Sequence, residues 1–135
     1  MTNTTLAKSY LIKATKRMPI LNLLLKKKAY SDVIREAQEI VELCLKGMLR
    51  QSGIEPPKWH DVGGLLVEYR KRFKGLTTKK AQKLAKISKA LRKERELSFY
   101  GDIDFIPTEE YTSNDAKKAI KNTKFVFETA KRFIK

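Results

Sequence analysis

Between Ser31 and Gly53 the apolar side chains Val33, Ala37, Ile40, Val41, Cys44, Leu45 and Met48 recur at the i, i+4, i+7, i+8, i+11 spacing of one helical face. Ser31 stands where an N-cap is expected, Asp32 and Glu36 favour the positive end of the helix dipole, and Gly53 suits the residue after the last turn. The rest of the chain repeats this logic. Pro56 and Pro57 force a loop, and Val62, Leu65, Leu66, Tyr69 and Phe73 resume a helical stripe from about Trp59 to Phe73. The adjacent Gly63 and Gly64 cost that helix about 2 kcal/mol against alanine, which predicts close packing against a neighbour. Thr77 or Thr78 caps a fourth helix with Ala81, Leu84, Ile87, Ser88, Leu91, Arg95 and Ser98 on one stripe. A loop from Gly101 to Thr112 precedes a fifth helix, from about Ser113 to Phe133, with Ala116, Ala119, Ile120, Thr123, Val126, Phe127, Ala130 and Phe133 inward. The first stretch, Thr4 to Lys28, is expected to be helical and bent or broken near Pro19. There is no internal repeat, no low-complexity linker and no useful run of alternating residues. The expectation is all-α: an up-and-down antiparallel bundle of four to five helices forming one domain over residues 1–135.

A chain of 135 residues buries roughly two-thirds of its unfolded surface, enough for a core without staples. The single Cys44 excludes an internal disulfide framework, and one Cys with one His leaves no set for a transition-metal centre, so no metal or cofactor is expected. Cys44 itself falls among Ile40, Val41 and Met48 and reads as a small buried hydrophobe. Met18–Leu25, the most apolar run, is interrupted by Pro19 and Asn22 and is far short of the ~20 residues of a membrane helix. Lys8, Lys13, Lys16 and Arg17 interrupt any secretory h-region, so a soluble protein of the reducing cytoplasm is expected.

Thirty Lys and Arg against fifteen Asp and Glu give a formal charge of +15. That charge is blocked along the chain. Residues 1–28 carry seven basic and no acidic side chains, Arg70 to Arg95 carry twelve basic and one acidic, and Glu94 to Asp115 collect seven acids. Blocks of one sign make a field with direction, as steering of a polyanion requires. Lys79, Lys83, Lys86 and Lys93 lie away from the apolar stripe of the fourth helix, as a solvated face or as a phosphate-binding track.

Phosphate-cradling glycine loops, H-E-x-x-H, a nucleophile elbow and paired cysteines are all absent, which removes most enzyme classes. One charged residue stands out. Arg95 lies on the apolar stripe of its helix, aimed at the interior or at a groove between helices, where an unpaired charge costs several kcal/mol. Glu42, Glu96 or Asp102 would neutralise it structurally; alternatively its planar guanidinium grips a phosphate. His60, between Trp59 and Asp61, reads as a residue of the loop entering the third helix. Phe125, Phe127 and Phe133 read as core or interface.

The run from Tyr30 to Leu49, followed by Gly53, Pro57, His60-Asp61 and Leu65-Leu66, resembles the second and third helices of HEPN-domain proteins. Arg95-Glu96-Leu97-Ser98-Phe99-Tyr100-Gly101-Asp102, with Ile106-Pro107 and Tyr111-Thr112, resembles the end of that domain, and the likeness spans roughly residues 5 to 133. The resemblance implies an all-α bundle that pairs as a homodimer, with a polar groove where the fourth helices approach. It also implies nucleotide or RNA binding, and work beside a minimal nucleotidyltransferase in a toxin–antitoxin arrangement.

Ribonuclease members carry R-x4-6-H, and here the sequence departs. Arg95 and the polar Glu96 are present, but Tyr100 stands five after Arg95 and no His follows. A phenol with a pKa near ~10 is a poor base for a 2′-hydroxyl at neutral pH, though it donates hydrogen bonds. Binding without efficient cleavage is therefore expected, with Arg95 and Tyr100 lining the groove and Lys79, Lys83, Lys86 and Lys93 flanking it. The alternatives are a metal-independent endoribonuclease using Tyr100 with Glu96 or Asp102, and a structural adaptor in which Arg95 is merely ion-paired.

Overall fold

The computed structural model describes residues 3–56, 58 and 62–135, so the expectations for Pro57, Trp59, His60 and Asp61 lie outside the described residues. The architecture is all-α: α1 (Asn3–Lys26), α2 (Tyr30–Gln51), α3 (Val62–Glu68), a 3-10 turn (Arg70–Arg72), α4 (Thr78–Phe99), α5 (Pro107–Glu110) and α6 (Ser113–Phe133). Helix α2 is the central element and packs against α1, α3, α4 and α6. The reason is its sequence: Val33, Ala37, Ile40, Val41, Cys44, Leu45, Met48 and Leu49 are all essentially inaccessible to water. Burying each large aliphatic among them contributes on the order of 1.5–3 kcal/mol.

The boundaries follow local chemistry. Helix α2 ends in a Schellman arrangement: Ile54 N–H donates to Leu49 O at 2.9 Å and Gly53 N–H to Arg50 O at 3.0 Å, with Gly53 at φ 78°. Its start differs from expectation. Ala29 holds the cap position without a side-chain hydrogen bond, and Ser31 is buried one residue inside the helix. Helix α1 runs unbroken through Pro19, whose missing N–H leaves the Thr15 carbonyl on an exposed face where water solvates it. It ends at Lys26, and the turn after it carries Lys28 at φ 61° while Ala29 N–H donates to Leu24 O at 2.9 Å.

Helix α3 is shorter than its apolar stripe, because the chain tightens into the 3-10 turn after Tyr69. Of its two glycines, Gly63 has the expected reason, since a Cβ on it would stand 2.6 Å from the Ala85 Cα of α4, whereas Gly64 is exposed. Thr77 caps α4 by accepting from Lys80 N–H at 3.1 Å. The capping box at α6 is complete, Thr112 Oγ1 accepting from Asp115 N–H at 3.2 Å and Asp115 Oδ2 from Thr112 N–H at 2.9 Å.

The segment between α4 and α6 is more ordered than a loop. Asp102 and Phe105 exchange backbone hydrogen bonds of 2.9 and 3.0 Å, closing a tight turn before α5. Gly101 makes that turn possible: it sits at φ 71°, and a Cβ there would lie 2.4 Å from the Phe105 carbonyl oxygen. The turn projects Ile103 almost wholly into solvent, 89% exposed.

Candidate nucleic-acid interface at the end of α4

Arg95 lies on the flank of α4 that meets α2, and its Nη2 is 3.4 Å from Glu39 Oε1. That same oxygen is 3.4 Å from Nε of Arg35, one turn earlier on α2. Arg35 Nη1 also donates to the Arg95 carbonyl oxygen at 3.4 Å, which ties the two helices together. Two guanidiniums therefore share one carboxylate, and the cluster keeps one net positive charge.

Its exposure decides what it can do. The Arg95 side chain is 45% exposed and that of Glu39 34%, so the expected position at a groove between helices is the one observed and the bundle interior is not. Ion pairs this exposed are worth about 0–1 kcal/mol, and an incoming phosphate competes with Glu39 on nearly equal terms.

The three carboxylates expected beside Arg95 are engaged elsewhere or face solvent. Glu42 accepts from Gln38 Nε2 at 3.3 Å and lies 4.0 Å from Lys46 Nζ. Asp102 Oδ1 accepts from Ile103 N–H at 2.7 Å, stabilising its own turn, and Glu96 is exposed. Glu39 takes the role instead, because the register of α2 against α4 brings its turn opposite Arg95.

Aromatic side chains complete the site. The Arg35 guanidinium lies over the Phe99 ring at 5.0 Å, and Phe99 meets Tyr100 edge to face with centroids 4.9 Å apart. Phe99 is 50% and Tyr100 72% exposed, so both rings offer a face or an edge to a base. Ile103 and Ile106, a few residues further along the chain, are also exposed.

On the other flank of α4, Tyr111 donates a short hydrogen bond to Glu94 Oε2. Burial, reinforced by Glu94, pushes the Tyr111 phenol well above its ordinary pKa. It is a fixed hydrogen-bond donor and not a base.

The lysines are placed differently from Arg95. Lys79, Lys86 and Lys93 are exposed and recur every seventh residue on the outer face of α4, about 180° around the helix from Arg95. Lys83 turns toward α6, its ammonium 4.0 Å from the Phe125 ring centroid. Cys44 is buried, and burial pushes its thiol up to about 12. Among the described residues no three His, Cys, Asp or Glu side chains converge as a metal site requires. Also among the described residues, no helix is long and apolar enough to cross a membrane.

Arg35, Glu39 and Phe99 carried no assigned role in the sequence. The available signal was local: Arg35 and Glu39 are four apart on α2, and Phe99 is four after Arg95 on α4.

The family model of the HEPN domain matches residues 7–133, nearly the whole chain. No curated protein and no solved structure matches it.

Proposed function

The chain belongs to the HEPN domain family, a nucleotide- and RNA-related class of module, and from that premise we propose that it is an RNA- or nucleotide-binding module without efficient catalysis. The observation that carries this reading is the pair Arg35 and Arg95 sharing the single carboxylate of Glu39 beside the exposed rings of Phe99 and Tyr100. The guanidiniums take phosphate oxygens, the rings stack a base, and the Tyr100 hydroxyl donates to the ligand. Lys79, Lys83, Lys86 and Lys93 contribute chiefly to the field that draws a polyanion toward the molecule.

The working form in this reading is a cytoplasmic homodimer. Ile103 and Ile106 expose large apolar side chains just beyond the rings, and closing two copies over them brings the Arg95 residues and the Phe99 and Tyr100 rings to one cleft. The partner proposed for the dimer is a minimal nucleotidyltransferase, in a toxin–antitoxin arrangement. Co-purification with the product of a neighbouring nucleotidyltransferase gene supports this part, and its absence removes it.

The binding reading is tested by fluorescence-anisotropy titration of short single-stranded RNA. Replacing Arg35 and Arg95 by Gln is expected to weaken binding about tenfold or more, because two charge-assisted contacts are lost. The charge-matched Lys13→Gln/Lys16→Gln variant is expected to lose less than about threefold, through the field alone. Equal losses in the two variants contradict the site. RNA left intact in EDTA supports binding without cleavage, whereas products that vanish with Arg95→Ala establish the ribonuclease alternative.

A further inference from the structure

We infer that the cleft between the turn at residues 74–76 and the carboxy-terminal end of α6 is a second anion site, suited to a polyphosphate group. The cleft has a volume of about 450 Å³ and is lined by the cationic side chains of Lys74, Lys80, Arg132 and Lys135, with no carboxylate side chain on its walls. Among the described residues none of the four is ion-paired.

The local structure concentrates this charge. Lys79 and Lys80 occupy the first turn of α4, which carries no acidic residue, so two ammoniums sit at the positive pole of a helix. That arrangement is unfavourable until an anion joins it. Lys74 comes from the preceding turn, where Gly75 at φ 90° leaves open space in place of a side chain. Arg132 and Lys135 approach from the end of α6. The Phe133 ring, held edge to face against buried Phe73 with centroids 5.9 Å apart, gives the cleft a rigid apolar wall.

The number of cations favours a chain of phosphates. A single phosphate carries about two negative charges, half of what the four side chains match. A di- or triphosphate fills the charge and uses the length of the cleft. Such a group comes either from a free nucleoside triphosphate or from the 5′ end of a primary transcript. Lys80 and Arg95 are fifteen residues apart on α4, about 22 Å, so this site does not depend on the Arg35–Arg95 cluster.

Calorimetric titration of the full chain with tripolyphosphate tests the inference, with circular dichroism to confirm that each variant is folded. The expected result is one site per chain, weakened about tenfold or more by Lys80→Gln/Arg132→Gln. The charge-matched Lys117→Gln/Lys121→Gln pair on α6 and Arg95→Gln are each expected to change it less than about threefold. Absence of binding, or equal loss in the Lys80/Arg132 and Lys117/Lys121 variants, overturns the site. The source is read in the same experiment. ATP binding that depends on Lys80 and Arg132 assigns it to free nucleotides. Preference for 5′-triphosphate over 5′-hydroxyl RNA, lost in the same variant, assigns it to transcript ends.

Discussion

Among the residues with left-handed backbone, Gly101 and Lys28 adopt it for different reasons, and substitutions separate them. Gly101 is required twice over, by its φ of 71° and by the carbonyl 2.4 Å from where a Cβ would stand. Gly101→Ala is therefore expected to destabilise the protein by about 1–3 kcal/mol, read as a lower urea midpoint. Lys28, at φ 61°, pays a steric penalty that glycine avoids, and Lys28→Gly is expected to raise stability by up to about 1 kcal/mol. Cys44 gives a further check at this scale. Its thiol is buried and its pKa is pushed up to about 12, so it is expected to react with a disulfide reagent at neutral pH only as fast as the protein opens. Immediate stoichiometric labelling of the folded protein contradicts that placement. Arg95, by contrast, is an accessible charge in a weak pairing. Arg95→Met is expected to change stability by less than about 1 kcal/mol while removing the guanidinium from the groove.

At the scale of elements, the link between α4 and the segment leading into α6 rests partly on Tyr111 and Glu94. The folded-state pKa of Tyr111 is raised above its unfolded value near 10, so its contribution is fully present below that value and is lost as pH rises beyond it. The destabilisation caused by Tyr111→Phe is therefore expected to shrink above pH 10, and a difference that stays constant with pH contradicts the pairing. How much of this was legible in sequence depends on range. The start of α6 was readable because an apolar stripe opens at Ala116 straight after the loop from Gly101 to Thr112, and α4 because Thr77 precedes its stripe. The apparent cap Ser31 misled because a short polar side chain is also tolerated inside a helix, buried among neighbours. Pro19 suggested a break, but a proline on an exposed face leaves its acceptor to water. Helix α5, four residues long, is too short for periodicity to register. The Arg95–Glu39 pairing was not legible at all, since it follows from the register of two helices 56 residues apart in sequence. Periodicity placed Arg95 on the packed side of α4 and could not say which α2 residue would oppose it.

For the whole molecule, the charge pattern and the apolar end of α4 act at different distances. In the proposed function, the +15 charge attracts a polyanion over a Debye length of ~8 Å at physiological salt, and close contacts then select the binding face. The central proposal is that two copies meet over Ile103 and Ile106, so that one cleft receives an arginine cluster and the rings of Phe99 and Tyr100 from each. It is tested most directly by electron–electron dipolar spectroscopy with a spin label at Asp104→Cys, in a Cys44→Ala chain shown to be folded. The account predicts a single label separation shorter than one domain diameter, below about 30 Å, and a longer separation for a label at Lys13→Cys on α1. Absence of dipolar modulation from position 104, or a shorter distance from position 13, would contradict it.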